Sequence, residues 1–373
     1  MTFVNGPDVR EDTAEASLAS YRDSSRRGVS LVICSHNGAS RLSAVLTHVA
    51  LQRVPQDLPW EVILVDNAST DGTGTVARTA WFAHDSPAPL RVVYEGELGL
   101  TPARRRGLKE ARYEFVSFVD DDNWIAADWV VSVTDVMCQR VEVGACGGML
   151  EAAFERSPPQ WFDHVQKYYA VGRQSEHAGD VTWSRGYLWG AGLTVRKSAW
   201  KELAAAGFDF QLHDRAGQSL SSGGDAELCL ALRLAGWKLW YEPAMRMKHY
   251  IPASRMEWKY LEAVARGFGV AAVVLNAYAT VRQGRSSWVA LRLRSNWLCQ
   301  ALITIFRLLG ACGRTLLHMP RREGSEAFLD MIYRREILAR FLRVRGRYDV
   351  LCRRVQQMSC TARIHGIAGS LKA

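Results

Sequence analysis

Three apolar runs, Val29–Cys34, Glu61–Val65 and Phe115–Val119, each stop abruptly at polar residues, and the chain between them has helical spacing. Runs rich in β-branched and aromatic side chains that end this way predict buried strands whose carboxyl ends open into loops. Ala39 to Gln52 sets Leu42, Val45, Leu46 and Val49 on one helical face, and a strand near Arg91–Tyr94 with a helix over Pro102–Ala111 extends the series. The alternation predicts an α/β fold with a doubly wound, mostly parallel sheet. Chemistry in such sheets sits at the carboxyl ends of the strands.

The third run continues directly into Asp120-Asp121-Asp122. Three adjacent carboxylates repel one another, so solvent, Arg or Lys partners, or a divalent cation must offset the charge. In an extended segment Asp120 and Asp122 point to one side and Asp121 to the other. On that spacing Asp120 and Asp122 suit Mg or Mn, and Asp121 is the member expected to tolerate change. The competing reading is a solvated acidic turn that caps the next helix.

A formal charge of +9 suits an anionic partner: a nucleotide, nucleic acid or an acidic lipid surface. The eight cysteines form no C-x-x-C pair and sit mostly in apolar runs, which argues against a disulfide framework or zinc site and for reduced thiols in the cytoplasm. Residues 1–27 read as a flexible polar arm without the apolar core of a secretory signal. Gly72-Thr73-Gly74-Thr75-Val76-Ala77 fits a dinucleotide-binding fingerprint, with Glu95 at a plausible distance for ribose, but several residues separate it from the strand ending at Val65. A dinucleotide turn needs its first glycine directly after the strand, so Ser69–Gly74 is read as a capped helix start.

Beyond the acidic loop, Asp128–Val141 reads as a helix, Gly144–Leu150 as a strand, and Trp189–Val195 as a strand whose small residues permit close approach. Trp161, Phe162, Tyr168, Tyr169, Trp183, Tyr187 and Trp189 could pack on sugars or bases, although aromatics more often serve the core. Gly223-Gly224-Asp225 opens a Leu-rich helix, which makes Asp225 either an N-cap or a carboxylate held at a pocket rim as general base. After a strand at Trp237–Pro243 comes His249, which gains significance only if it folds back on the aspartates.

Taken in order, Val29–Gly38, Val65–Gly72, Ala103–Gly107, Val119–Asp122 and Gly223–Asp225 with His249 resemble the family 2 glycosyltransferases of GT-A fold over about residues 29–250. Trp161–Tyr250 looks most like bacterial members associated with exopolysaccharide assembly. The resemblance implies that Cys34, Ser35 and His36 lie along a nucleobase and that Asp66 and Asn67 are near base and ribose. It places Arg104 near the diphosphate or ribose. Asp120 and Asp122 would be the D-x-D pair that binds donor and metal, with His249 a further metal ligand and Asp225 the catalytic base. Asn67 and Gly224 depart from the family's common Asp and Glu. The activity implied is inverting, Mn- or Mg-dependent transfer of a hexosyl or N-acetylhexosaminyl group from a nucleotide sugar, expected to be a UDP sugar, to a glycan or lipid-linked acceptor in bacterial polysaccharide assembly. A sugar-nucleotide-binding scaffold of the same fold without turnover is the alternative.

Residues 251–373 read as a helical, basic C-terminal extension after a GT-A domain spanning 28–250. Trp297–Leu309 is apolar but broken by Arg307, and Arg282, Arg285, Arg292, Arg294, Arg314, Arg321 and Arg322 flank it. An amphipathic helix on the inner face of the membrane fits this pattern, as does a helix docked on the catalytic domain or a dimer interface. No nucleic-acid module accompanies the arginines, so nucleic acid is not an expected partner.

Overall fold

The structure, a computed structural model, describes residues 27–212, 214, 222–281, 292–317 and 323–370. All of the expected N-terminal arm except Arg27 lies outside the described residues, as do Arg282, Arg285, Arg321 and Arg322.

Nine strands form one sheet: β1 (Val29–Ser35), β2 (Trp60–Asn67), β3 (Leu90–Glu95), β4 (Phe115–Asp120), β5 (Asn123–Ile125), β6 (Val143–Phe154), β7 (Gly179–Asp180), β8 (Thr194–Arg196) and β9 (Lys238–Ile251). The order is β3-β2-β1-β4-β8-β6-β9-β5, with β7 also on β9. The β3-β2-β1-β4 half is parallel; beyond it β8 runs antiparallel to β4 and β6, while β6 and β9 pair in parallel. Every residue of β1 is buried, as a parallel strand covered on both faces requires. Its alternate side chains feed two cores. Leu31 and Ile33 pack with the helices Ala39–Ala50 (α1), Thr73–Phe82 (α2) and Trp129–Gln139 (α4). Val32 and Cys34 pack with Leu100–Glu110 (α3), Gly224–Leu234 (α6) and helices that follow β9. Between β8 and α6 lies α5 (Lys197–Ala205).

Because β2 and β4 flank β1 on opposite sides, the chain reverses direction across the sheet at β1, and a crevice opens above the strand ends there. Register fixes its contents: Ser35 of β1 lies opposite Asp66 of β2, and Cys34 lies opposite Asp120 of β4. The turn after β4 then enters β5, whose Asn123 pairs with His249 of β9. This pairing is what folds His249 back on the aspartates.

Two local expectations are corrected. β4 ends at Asp120, so two-residue alternation does not continue through Asp122. The strand expected over Trp189–Val195 is confined to Thr194–Arg196; Gly192 has φ of 74°, and its N–H donates to the Phe118 carbonyl in a turn laid on β4. Gly72, at φ 78°, precedes α2 as a helix start and not as a dinucleotide turn.

The helices after β9 are α7 (Trp258–Ala279), α8 (Trp297–Leu317), α9 (Glu326–Val344) and α10 (Gly346–Ser370). Val273, Tyr278, Phe341, Tyr348 and Cys352 belong to the same core as Val32 and Cys34, so these helices complete the sheet's second face. Among the described residues α7 alone is long and apolar enough to cross a membrane, and half of its apolar stretch is buried against the protein. The Tyr278 hydroxyl of α7 donates at 2.8 Å to Glu227 of α6, which also accepts the N–H groups of Gln211 and Leu212. Burial pushes the Glu227 carboxyl up to about 7 against these three donors. The clamp ties α7 to the helix that carries Asp225.

Candidate functional site

Each carboxylate of the Asp120–Asp122 run meets a different arginine. Asp120 lies 3.8 Å from Arg104 of α3, Asp121 is 2.8 Å from Arg41 of α1, and Asp122 is 2.8 Å from Arg255, in the turn between β9 and α7. Separate partners let three adjacent charges coexist at a half-buried strand end. Asp121 is held further by the Ser35 hydroxyl at 2.7 Å. Burial pushes its carboxyl up, and the Arg41 hydrogen bond pulls against that shift. Asp121 therefore anchors the loop to β1 and α1, which corrects the expectation that it would tolerate change.

Asp122 is buried, and His249 Nε2 lies 3.6 Å from its Oδ2. His249 Nδ1 is 2.8 Å from the Tyr169 carbonyl. A carbonyl can only accept, so Nδ1 is the donor in this contact and Nε2 is the ring nitrogen turned towards Asp122. A carboxylate beside an imidazole nitrogen suits Mn or Mg chemically, and the guanidinium against both shows that the spot favours positive charge. Among the described residues no third His, Cys, Asp or Glu joins them. Asp120 faces Arg104 instead, so the structure does not gather Asp120, Asp122 and His249 around one point.

The loops after β1 and β2 are tied to each other. His36 Nδ1 is 2.7 Å from the Asn67 carbonyl, and Asn37 accepts the Thr70 N–H at 2.9 Å. Asp66 accepts the Ser69 N–H at 3.3 Å. The buried Asn67 amide donates to the carbonyls of Glu95 and Glu97 and accepts from the Gly99 N–H. A carboxylate could not donate to those two carbonyls. Asn67 thus secures the loop that leads into α3 and to Arg104. Burial pushes the Cys34 thiol up to about 12, so it packs as a neutral floor beneath these loops.

Arg104 is the centre of the crevice. Its guanidinium is buried, stacks 5.6 Å from the centroid of Phe118 and lies 3.8 Å from Asp214 as well as from Asp120. Burial would lower its pKa; the charges of Asp120, Asp225 and Asp214 outweigh that and raise it. Asp225 Oδ2 accepts the Gly190 N–H at 2.6 Å and Oδ1 the Ala226 N–H at 2.9 Å, which fixes the carboxylate against the turn beside Arg104. A side chain at Gly190 would collide with both groups, since its Cβ would fall 2.4 Å from Arg104 and 3.0 Å from Asp225. The buried Asp214 accepts the Gly224 N–H with both oxygens, at 3.0 and 2.8 Å. A Cβ on Gly224 would sit 2.6 Å from that carboxylate. Asp214 thus fills the space that a side chain at position 224 would need, next to the base candidate.

Residues 30–203 match the model of the glycosyl transferase family 2. This stretch is a family 2 glycosyltransferase domain. It contains β1 to β8 and the whole acidic run, while Asp225 and His249 lie beyond the matched region. The chain is 25% identical over 236 residues to the pre-mycofactocin glycosyltransferase of Mycobacterium tuberculosis (strain CDC 1551 / Oshkosh), covering 63% of this chain and 45% of that protein. It is 33% identical over 138 residues to TuaG of Bacillus subtilis (strain 168), a glycosyltransferase named for teichuronic acid biosynthesis, covering 37% of this chain and 52% of TuaG. Across eight curated relatives the aligned stretch spans between 15% and 52% of the relative's length. The fold resembles the mannosyltransferase PcManGT of Pyrobaculum calidifontis, solved with GDP-Man and Mn2+, at a TM-score of 0.52 and 18% identity over 88% of this chain and 95% of that one. The glycosyltransferase domain has the expected GT-A fold.

Cys34, Ser35, His36, Asp66, Asn67 and Asp120 cluster at the ends of β1, β2 and β4, with Arg104 beside Asp120 and Asp225 close to Arg104. Asp214, Arg41 and Arg255 were not singled out from sequence. Arg41 carries a readable signal, standing six residues after Ser35 on the first helix, whereas Asp214 and Arg255 meet the site only through long-range folding. Asp121→Ala is expected to destabilise the chain by about 1–3 kcal/mol, because Arg41 and Ser35 lose a part-buried partner. Urea unfolding with an unchanged midpoint would contradict the anchoring role.

Proposed function

We propose that the chain is an inverting glycosyltransferase that moves a hexosyl or N-acetylhexosaminyl group from a nucleoside-diphosphate sugar, in our reading a UDP sugar, to a hydroxyl of a glycan or lipid-linked acceptor in bacterial polysaccharide assembly. One observation carries the reading: a buried Arg104 has Asp120 of the donor-side strand end on one flank and the backbone-fixed Asp225 on the other. The family match and the teichuronic acid relative support the activity and the polysaccharide setting.

The chemistry follows from the charges. His36 and Asp66 stand at the strand ends where a base and ribose would lie, with the buried Ser35 behind them, and Arg104 would offer positive charge to the diphosphate. Asp122 and His249 would hold a divalent cation, which when bound stabilises negative charge on the leaving diphosphate. Asp225, held by two N–H groups in a fixed rotamer, takes the proton of an acceptor hydroxyl approaching the anomeric carbon from the face opposite the leaving group. The new C–O bond forms as the bond between the anomeric carbon and the diphosphate oxygen breaks, so the nucleoside diphosphate leaves intact and that carbon is inverted.

The C-terminal helices support a location on the inner membrane face. Ala301, Thr304 and Ala311 turn α8 inward, while Leu298, Leu302, Ile305, Phe306 and Leu309 form an exposed stripe along its outer side. Phe306 is 74% exposed and Leu309 63%. Arg292 and Arg294 before the stripe and Arg307 within it complement anionic headgroups, so the occupant we assign is an acidic lipid surface.

Asp225→Asn is expected to bind UDP sugar within about threefold of wild type and to lose transfer by about 10²-fold or more. Normal turnover in that variant, measured by UDP release, would remove Asp225 as base. In co-sedimentation, the chain should bind vesicles containing phosphatidylglycerol, weaken in high salt, and lose binding in Phe306→Glu. Equal recovery with neutral and anionic vesicles, or no effect of Phe306→Glu, would refute the membrane contact.

A further inference from the structure

The Asp122–Arg255 pair is the contact in the crevice that the reaction as derived does not use. Arg255 Nη1 is 2.8 Å from Asp122 Oδ2 and 3.5 Å from His249 Nε2, so one guanidinium nitrogen sits against both of the groups best suited to a divalent cation. Asp122 and His249 are almost fully buried, whereas the Arg255 side chain is 23% exposed and enters from the rim. Its backbone is fixed independently of its head group: the Arg255 carbonyl accepts the Tyr169 hydroxyl at 2.8 Å, and its N–H donates to the Pro252 carbonyl at 2.9 Å. Tyr169 therefore positions both residues, His249 through its carbonyl and Arg255 through its hydroxyl. The root of the arm is thus held by contacts other than those of its head group.

We propose that Arg255 competes with the divalent cation for Asp122 and, once displaced, becomes a ligand of the donor's diphosphate. The inference rests on the reading that this crevice takes a nucleoside diphosphate together with a metal ion. A guanidinium and a divalent cation cannot both sit against Asp122 and His249, because like charges at that separation repel strongly in a buried site. A displaced, part-buried guanidinium needs another anion, and the diphosphate is the one that the ion brings with it. Arginine suits that role, since its planar fork matches phosphate oxygens with paired hydrogen bonds. Two consequences follow: the free protein holds metal weakly, and metal and nucleotide bind with positive coupling, each removing the obstacle to the other.

The test uses the full chain, with Mn2+ binding followed by electron paramagnetic resonance without nucleotide, and UDP and GDP binding followed by calorimetry at saturating Mn2+. In Arg255→Met, Mn2+ should bind about tenfold tighter, while the better-bound of UDP and GDP should bind about tenfold weaker. Uridine and guanosine, which lack phosphates, should be unaffected. Arg255→Lys keeps the charge and the fold and should fall between wild type and Met in both measurements. Unchanged or weaker Mn2+ binding in Arg255→Met would overturn the competition, and unchanged nucleotide binding would overturn the diphosphate contact. Either result leaves wild-type UDP or GDP binding intact, whereas failure of the wild-type chain to bind both nucleotides would instead reject the reading on which the inference stands.

Discussion

Three carboxylates in succession at the end of a buried strand are the constraint to which the rest of the molecule answers. They cannot share one counter-ion, and the fold gives each its own: Arg104 from α3 for Asp120, Arg41 from α1 for Asp121, and Arg255 from beyond β9 for Asp122. Each pairing draws a different part of the chain to the same strand end. The arrangement also divides labour. Asp121 is committed to architecture through Ser35 and Arg41, while Asp120 and Asp122 meet arginines from two other parts of the chain. A buried ion pair adds little net stability over an apolar contact, so holding charge in place at a ligand site is the better account of its presence.

The C-terminal helices belong to this design and are not an appendage. The Glu227 clamp joins α7 to α6, and α6 begins with the Gly224–Asp225 pair that faces Arg104. Position 224 has no side chain, and Asp214 occupies the space instead, its carboxylate bound to the Gly224 N–H. A carboxylate beside the base candidate is therefore supplied from elsewhere in the chain, where family resemblance in sequence shows only a glycine.

The fold was legible because its signals are local. β1, β2 and β4 announce themselves as apolar runs ending in polar loops, and their carboxyl ends carry Cys34, Ser35, Asp66, Asn67 and Asp120 to one edge of the sheet. What escaped the sequence depends on contacts over long separations. Arg255 meets Asp122 across 133 residues, and Asp214 meets Arg104 across 110, and no periodicity encodes such a meeting. Two-residue alternation sets Asp121 apart from Asp120 and Asp122 only in an extended strand, and β4 ends at Asp120. Asn67 fell between the two cases: its place at the end of β2 was readable, but its hydrogen bonds to Glu95, Glu97 and Gly99 show a scaffold role that only the folded loop reveals.

The central claim is that the crevice above β1, β2 and β4 binds a nucleoside-diphosphate sugar. Thermal unfolding of the full chain with a panel of UDP and GDP sugars, each with and without Mn2+, tests it most directly, since a ligand that binds only the folded state raises its melting temperature. The account predicts stabilisation by a UDP sugar, strengthened by Mn2+ and abolished in Asp120→Ala. Absence of stabilisation by every nucleotide sugar in the panel, or an equal response in Asp120→Ala, would contradict it.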